Sequence, residues 1–381
     1  MLDRGILTQK FLNASIMKFI NVNNKSLVLN DWDCLYKESM PHFKIQNEIG
    51  KIGDFINESY YCEILKEKFS CILTDIGDYT AISYVSGSDA IFNSVIWSKR
   101  LKESNTLFIY KNSFHGRYVE LIKENILTLN DLRVHQISFE RNRQVLLKTI
   151  DILRKAKRQI VLIEPFFGDS FYISSNDFFE KLIRVCNEQE HILIFDEVRT
   201  GVFKTGDFTL SQFLRISPDI ICVSKGLSVG LPIAITLYKK YLFNCIIDEI
   251  TNSLRGFFCK NINSLKRAIA NINYFIQERP RLIKKFKELN LAAHKELEFL
   301  YSYPFIDYIQ IQGLYFIITF KENFVLTELQ KILLVKKMQA EGIYCDPPEN
   351  TGAWVFLFSL DVSLNNILLL KNKLQSIFDT F

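Results

Sequence analysis

From Thr106 to Tyr238 the chain repeats one pattern, in which short apolar runs alternate with longer stretches of helical spacing. The runs fall at 107–110, 134–139, 159–165, 191–196, 219–223 and 231–238. Helical periodicity fills 143–157 and 176–188, and another helical stretch follows Arg117. Strands that alternate with helices at this spacing predict an α/β fold, with a mostly parallel sheet covered on both faces. In such sheets ligands collect beyond the carboxyl ends of the strands, so residues at those ends are the first candidates for chemistry.

Over 1–50 the signals are weak: Phe11, Ile16, Phe19 and Ile20 suit one helix face, and 26–32 suits a short strand. Tyr61, Ile64, Leu65, Phe69 and Ile72 recur at helical spacing, which predicts a helix over 60–72. Past Thr251 the character changes. A helical stretch covers about 263–300, and Pro280 is expected to kink it or to start a new helix. Strand, glycine break and strand follow over 307–320, then a helix over 326–341, a strand over 353–359 and a helix from Leu364. The expected organisation is a large domain over 51–262 and a smaller α+β domain over 263–381, with residues 1–50 packing beside the smaller one.

Composition excludes several classes. With 48% hydrophobic and 23% charged residues the chain is a folded globular protein and not a disordered one. The net charge of +5 comes from Lys and Arg spread along the chain, so no nucleic-acid partner is expected. The eight cysteines contain no CxxC pair or Cys/His grouping, which points to free thiols and no metal. No apolar run approaches the ~18 residues that span a bilayer, and Asp3, Arg4, Gln9, Lys10 and Asn13 break up any signal-peptide core. A cytoplasmic protein without a membrane partner is expected.

Two strand ends carry the chemistry. The run ending at Asp196 presents a carboxylate, and the run ending before Lys225 presents an amine ahead of a glycine-rich turn. An acid and a lysine so placed match how pyridoxal 5′-phosphate is held, with the lysine as Schiff base and the acid on the pyridine nitrogen. A third stretch, Ser86-Gly-Ser88, precedes a helix. It reads either as an anion site built from backbone N–H groups and hydroxyls or simply as an N-cap.

Taken together, Ser86-Gly-Ser-Asp-Ala90, Phe114-His-Gly-Arg117, Glu164-Pro165, Asp196-Glu-Val-Arg-Thr-Gly201, Pro218-Asp219 and Ser224-Lys-Gly226 resemble, in order and spacing, the class III aminotransferases of the fold-type I pyridoxal-phosphate family. The resemblance covers residues 80–240 best. It implies a fold-type I transferase-like architecture, an active site at a homodimer interface, and amine or amino-acid and keto or aldehyde substrates. By the same resemblance Lys225 forms the Schiff base and moves the substrate proton, while Asp196 holds the pyridinium proton. Gly87 and Ser88 bind the phosphate, Phe114 and Val198 flank the ring, and His115 and Glu164 line the cofactor site.

The sequence also departs from the family. Arg199 stands where members usually carry a glutamine on the cofactor's phenolic oxygen, and a second cation there disfavours the protonated Schiff base. The family's gate glutamate aligns with Asp169, and the strand 353–359 lacks the arginine that usually grips a substrate carboxylate. The threonine that reaches the partner's phosphate is replaced by Arg255-Gly-Phe-Phe-Cys-Lys-Asn261. Either Ser253 or Lys260 substitutes for it, or the phosphate is held less tightly. The expected function is an aminotransferase of a specialised biosynthetic pathway. The alternatives are an aminomutase of the glutamate-semialdehyde type and a catalytically degenerate binding relative.

Overall fold

The computed structural model describes residues 27–28, 54–111, 113–129, 131–138, 143–167, 172–228, 230–254, 262–321, 324, 326–341, 343–344 and 353–379. The helix expected over Phe11–Ile20, the gate position Asp169 and the stretch from Arg255 to Asn261 lie outside the described residues. Of the strand expected at 26–32, Leu27–Val28 is described and pairs in parallel with Ile343–Tyr344.

The large sheet and its helices are built from helix α1 (Asp54–Ile72), strand β1 (Tyr79–Tyr84), helix α2 (Gly87–Lys102), strand β2 (Thr106–Tyr110) and helix α3 (Gly116–Lys123). Strand β3 (Arg133–Ile137), helix α4 (Arg143–Lys155), strand β4 (Ile160–Ile163), helix α5 (Asn176–Glu188) and strand β5 (Ile192–Asp196) follow. A short helix α6 (Leu210–Leu214) leads to strands β6 (Ile220–Val223) and β7 (Ala234–Lys239) and helix α7 (Lys240–Leu254). These strands form a seven-stranded sheet in the order β1-β7-β6-β5-β4-β2-β3. The interior pairs are parallel, as the alternating pattern predicts. Strand β7 is the exception and runs antiparallel to both β1 and β6. Its link to β6 is only residues 224–233, and a parallel crossover needs about a dozen residues or more.

The sheet is buried on both sides, which explains its unbroken apolar runs. Val161, Ile163, Leu193, Phe195, Ile221 and Val223 face one core, while Ile160, Leu162, Ile192, Ile194, Ile220 and Cys222 face the other. The second core is closed by Ile91 and Val95 of α2, Val119 of α3 and Leu242 of α7. Each such side chain contributes roughly 1.5–3 kcal/mol on burial.

The remainder builds a smaller sheet. Helix α8 (Ile262–Leu297) precedes strands β8 (Ile306–Gln312) and β9 (Tyr315–Phe320), then helix α9 (Glu328–Ala340), strand β10 (Ala353–Leu357) and helix α10 (Leu364–Phe378). The strands pair antiparallel in the order β8-β9-β10, and their core is continuous with the first face of the large sheet. Of the two outcomes expected at Pro280, a new helix does not occur: α8 runs through it unbroken. A proline removes one helical hydrogen bond, but Phe275, Leu282 and Phe286 fasten the flanking turns to one core. The adjacent Arg279 also grips Asp207 at 2.8 and 3.0 Å and Asp75 at 2.5 Å. The turn between β8 and β9 meets the large sheet's loops. There Gly313 takes φ +60, and a Cβ would lie 2.4 Å from the Lys204 carbonyl.

His191 joins α4 to the sheet. Its Nε2 donates to the Leu153 carbonyl at 3.0 Å, and its Nδ1 accepts the Gln159 amide at 2.9 Å. Burial holds this imidazole below its ordinary pKa, because the neutral form is the one that packs. Its contribution to stability is therefore present above about pH 6.5, the unfolded value, and is lost as pH falls through the lowered folded value. His191→Gln is expected to cost about 1–3 kcal/mol at neutral pH. Thermal unfolding followed from pH 8 downward should show the gap to wild type narrowing with acid, since only wild type loses this term.

Candidate active site

Asp196 ends β5 and Lys225 follows β6, so neighbouring parallel strands deliver an acid and an amine to the same edge. The Asp196 carboxylate is nearly fully buried and held from two sides. Its Oδ1 accepts the Val198 amide at 3.1 Å, and its Oδ2 accepts His115 Nδ1 at 3.0 Å. A carboxylate only accepts, so His115 must carry its proton on Nδ1. Glu197 points the other way along the strand and serves the scaffold. It accepts the Leu210 amide at 2.5 Å, the Ser211 amide at 2.9 Å and the Ser211 hydroxyl at 2.5 Å. Burial raises its pKa against these hydrogen bonds. The bonds anchor the start of α6 to the end of β5.

Lys225 opens a single 3-10 turn with φ +46, the left-handed region that side chains disfavour. The Ser224 hydroxyl donates to the Ile233 carbonyl at 2.7 Å and closes the base of the 224–233 loop. Of the two readings of Ser86-Gly-Ser88, the N-cap is the one the hydrogen bonds display. Ser86 is the N-cap of α2, accepting the Asp89 amide at 3.2 Å, while Gly87 and Ser88 in the first turn face the cavity. That helix end offers N–H groups to an anion.

The loop from β2 to α3 packs directly on this turn. The Arg117 amide donates to Ser88 Oγ at 3.3 Å, and Gly116 sits at φ +80 against Ser88. A Cβ on Gly116 would fall 2.5 Å from Ser88 Oγ and 2.9 Å from its Cα. Gly116→Ala is thus expected to destabilise the protein by about 1–3 kcal/mol, from backbone strain and overpacking. It should also weaken phosphate-ester binding, and chemical denaturation with phosphate titration checks both.

Glu164 and Arg199 form the remaining wall. Burial raises the Glu164 pKa, the Arg199 charge pulls it down, and the Asp196 charge pushes it up again. The Phe114 amide donates to Glu164 Oε2 at 3.4 Å, and the Phe114 ring is 56% exposed at the cavity mouth. The Arg199 carbonyl accepts the buried Tyr315 hydroxyl from β9 at 2.8 Å, so the smaller sheet also positions this wall.

All nine residues singled out from sequence line one cavity of about 360 Å³: Gly87, Ser88, Phe114, His115, Glu164, Asp196, Val198, Arg199 and Lys225. Strand β10 is buried and supplies none of the described lining, so Arg199 is the one arginine among the described lining residues. For Ser253 only the backbone, within α7, is described. Tyr315, Gly116 and Glu197 were not singled out from sequence. Gly116, inside the Phe-His-Gly motif, and Glu197, inside the Asp-Glu-Val-Arg-Thr-Gly motif, carry a signal there, whereas Tyr315 carries none.

The architecture is that of fold-type I transferases. It superposes on an S-selective transaminase from Arthrobacter sp. with alanine bound, at TM-score 0.72 and 17% identity, covering 87% of this chain and 82% of that one. An omega transaminase from Pseudomonas jessenii in complex with PMP gives TM-score 0.70 and 20% identity over 84% and 79% of the two chains. At such identities the likeness is one of fold. The pattern of the class-III aminotransferase family matches residues 61–376, and the chain belongs to that family.

Among curated relatives, the adenosylmethionine-8-amino-7-oxononanoate aminotransferase of Staphylococcus aureus is 23% identical over 65% of this chain and 58% of its own length. An acetylornithine aminotransferase of Clostridium acetobutylicum is 31% identical over 34% of each chain. The chain thus spans little more than half the length of the first and a third of the second.

Pyridoxal 5′-phosphate, the cofactor that membership implies, fits the residues present. A Cβ at position 87 would come within 2.9 Å of Val198 Cγ1, so glycine keeps the cradle at the start of α2 open. Asp196, accepting from two donors behind it, stands at the cavity with an amine across from it. No helix among the described residues is long and apolar enough to cross a membrane.

Proposed function

We propose that this chain is a pyridoxal-phosphate-dependent aminotransferase that moves an amino group between an amine or amino acid and a keto or aldehyde acceptor. The observation that carries the reading is the convergence of Lys225, Asp196 and the start of α2 on one cavity from three separate parts of the sequence. When bound, the cofactor supplies an electron sink for the carbanion left at the substrate carbon.

The chain's own residues do the rest. Asp196 holds a proton at the ring nitrogen, and His115 fixes the carboxylate that does so. Lys225 would hold the cofactor's aldehyde carbon and would move the proton at the substrate carbon. Gly87 and Ser88 hold the phosphate at a helix N-terminus. Phe114 and Val198 would confine the ring, while Arg199 and Glu164 would set the charge at its edge. The same reading divides the chain into a large domain over 51–262 and a smaller one over 263–381. It makes the enzyme a cytoplasmic homodimer in a specialised biosynthetic pathway.

The test is to load the protein with cofactor, add a panel of amines and amino acids, and follow loss of the lysine-linked absorbance band. Return of that band on adding a keto acid supports amino transfer. Product formed without any acceptor would indicate an aminomutase. Wild-type protein showing no such band with cofactor present would sink the reading in favour of a degenerate relative.

A further inference from the structure

We propose that Asn271, in the long helix α8, is a positioning residue that holds the lysine-bearing turn and so aims Lys225 into the cavity. This rests on the cofactor role proposed for Lys225. The turn needs such support. Lys225 lies at φ +46, and a side-chain-bearing residue stays in that region only where its surroundings impose it. The 3-10 turn it opens ends at Leu227, whose amide donates to the Ser224 carbonyl at 3.2 Å. The Ser224 hydroxyl bonds the Ile233 carbonyl at 2.7 Å. Both bonds lie within residues 224–233 and would travel with that loop.

Asn271 supplies a tie from outside it. Its Nδ2 donates to the Leu227 carbonyl at 2.8 Å, fixing the far end of the lysine turn to another element. The side chain is 1% exposed and sits on a helix face whose neighbours are Ala268, Ile272 and Phe275. A buried amide on an apolar face is costly unless it is hydrogen-bonded. Packing alone would be served by leucine. Helix α8 is in turn held by Arg279, which grips Asp207 in the loops beyond β5 and Asp75 beyond α1. One rigid helix therefore references the turn after β6 to the loops that follow the Asp196 strand, and with them the amine to the acid.

A double-variant cycle on the full chain tests this. The dissociation constant of pyridoxal phosphate is measured by absorbance titration for wild type, Asn271→Leu, Lys225→Ala and the double variant. If Asn271 acts through the lysine turn, Asn271→Leu weakens binding about tenfold where Lys225 is present and by less than about twofold where it is absent. Equal weakening in both backgrounds would mean a general structural role and would overturn the proposal, as would no weakening in either. Should Asn271→Leu show no cooperative melting, Asn271→Ser replaces it in the same cycle with the same expected pattern. Wild-type protein that bound no cofactor at all would overturn the reading of the site first, and this inference with it. Wild-type binding without coupling overturns the inference alone.

Discussion

Replacing Lys225 with alanine is expected to lower amino-group transfer by about 10,000-fold, because two tasks disappear with one amine. In the proposed reaction this residue would provide the covalent hold on the cofactor's aldehyde carbon and the base that moves the substrate proton. Positioned proton transfer alone is worth about 100- to 10,000-fold. The fold should survive the change. Alanine at φ +46 keeps the strain that lysine already carries, and the bonds from Ser224 and Leu227 that build the turn remain. Melting temperature should accordingly move little while the lysine-linked absorbance band vanishes. Added methylamine should restore part of the turnover in proportion to its concentration, since a free amine can take up the proton-moving task. Retention of more than about a tenth of wild-type turnover would show that Lys225 is not the reacting amine.

How far the site is legible before folding depends on whether its residues lie in local patterns. Asp196 and Lys225 are readable because each ends an apolar run, and strand ends in a parallel sheet are where chemistry collects. The direction of β7 is not carried by its apolar pattern, which is the same for either orientation. It is carried by the ten-residue link before it, a length that only an antiparallel return allows. The pairing of His115 with Asp196 joins positions 81 apart and leaves no trace in spacing. Tyr315 and Asn271 come from the smaller sheet and the long helix, where each stands among apolar neighbours and reads as core. Pro280 does not start a new helix, for the opposite reason. Its local preference is real, but the buried side chains on either side outweigh one lost hydrogen bond. Arg199 was conspicuous in the sequence, and only the fold shows its charge beside Glu164 and its carbonyl held by Tyr315.

Asp196→Asn is expected to lower turnover by about 1,000-fold, the scale seen when a charge aimed at the reacting system is removed from a buried site. The substitution keeps shape but not acceptor capacity. Val198 N–H is a fixed donor, so the new amide must turn its oxygen toward it and its NH₂ toward His115. His115 Nδ1 then has to accept, and the imidazole proton moves to Nε2. That nitrogen is buried and has no hydrogen-bond partner among the described residues. A buried N–H left unpaired costs about 1–3 kcal/mol, so the variant should lose stability as well as rate. The two losses separate in a His115→Phe background. There Asp196→Asn should cost little stability, because no imidazole proton is displaced, yet turnover should still fall steeply, because the charge at the ring nitrogen is still lost. Denaturant unfolding and steady-state rates on the four proteins measure both quantities. A stability cost that persists unchanged without His115 would mean that the imidazole does not set the protonation pattern of this acid. Turnover within about tenfold of the parent in either background would mean that Asp196 is not the acid that holds the ring proton.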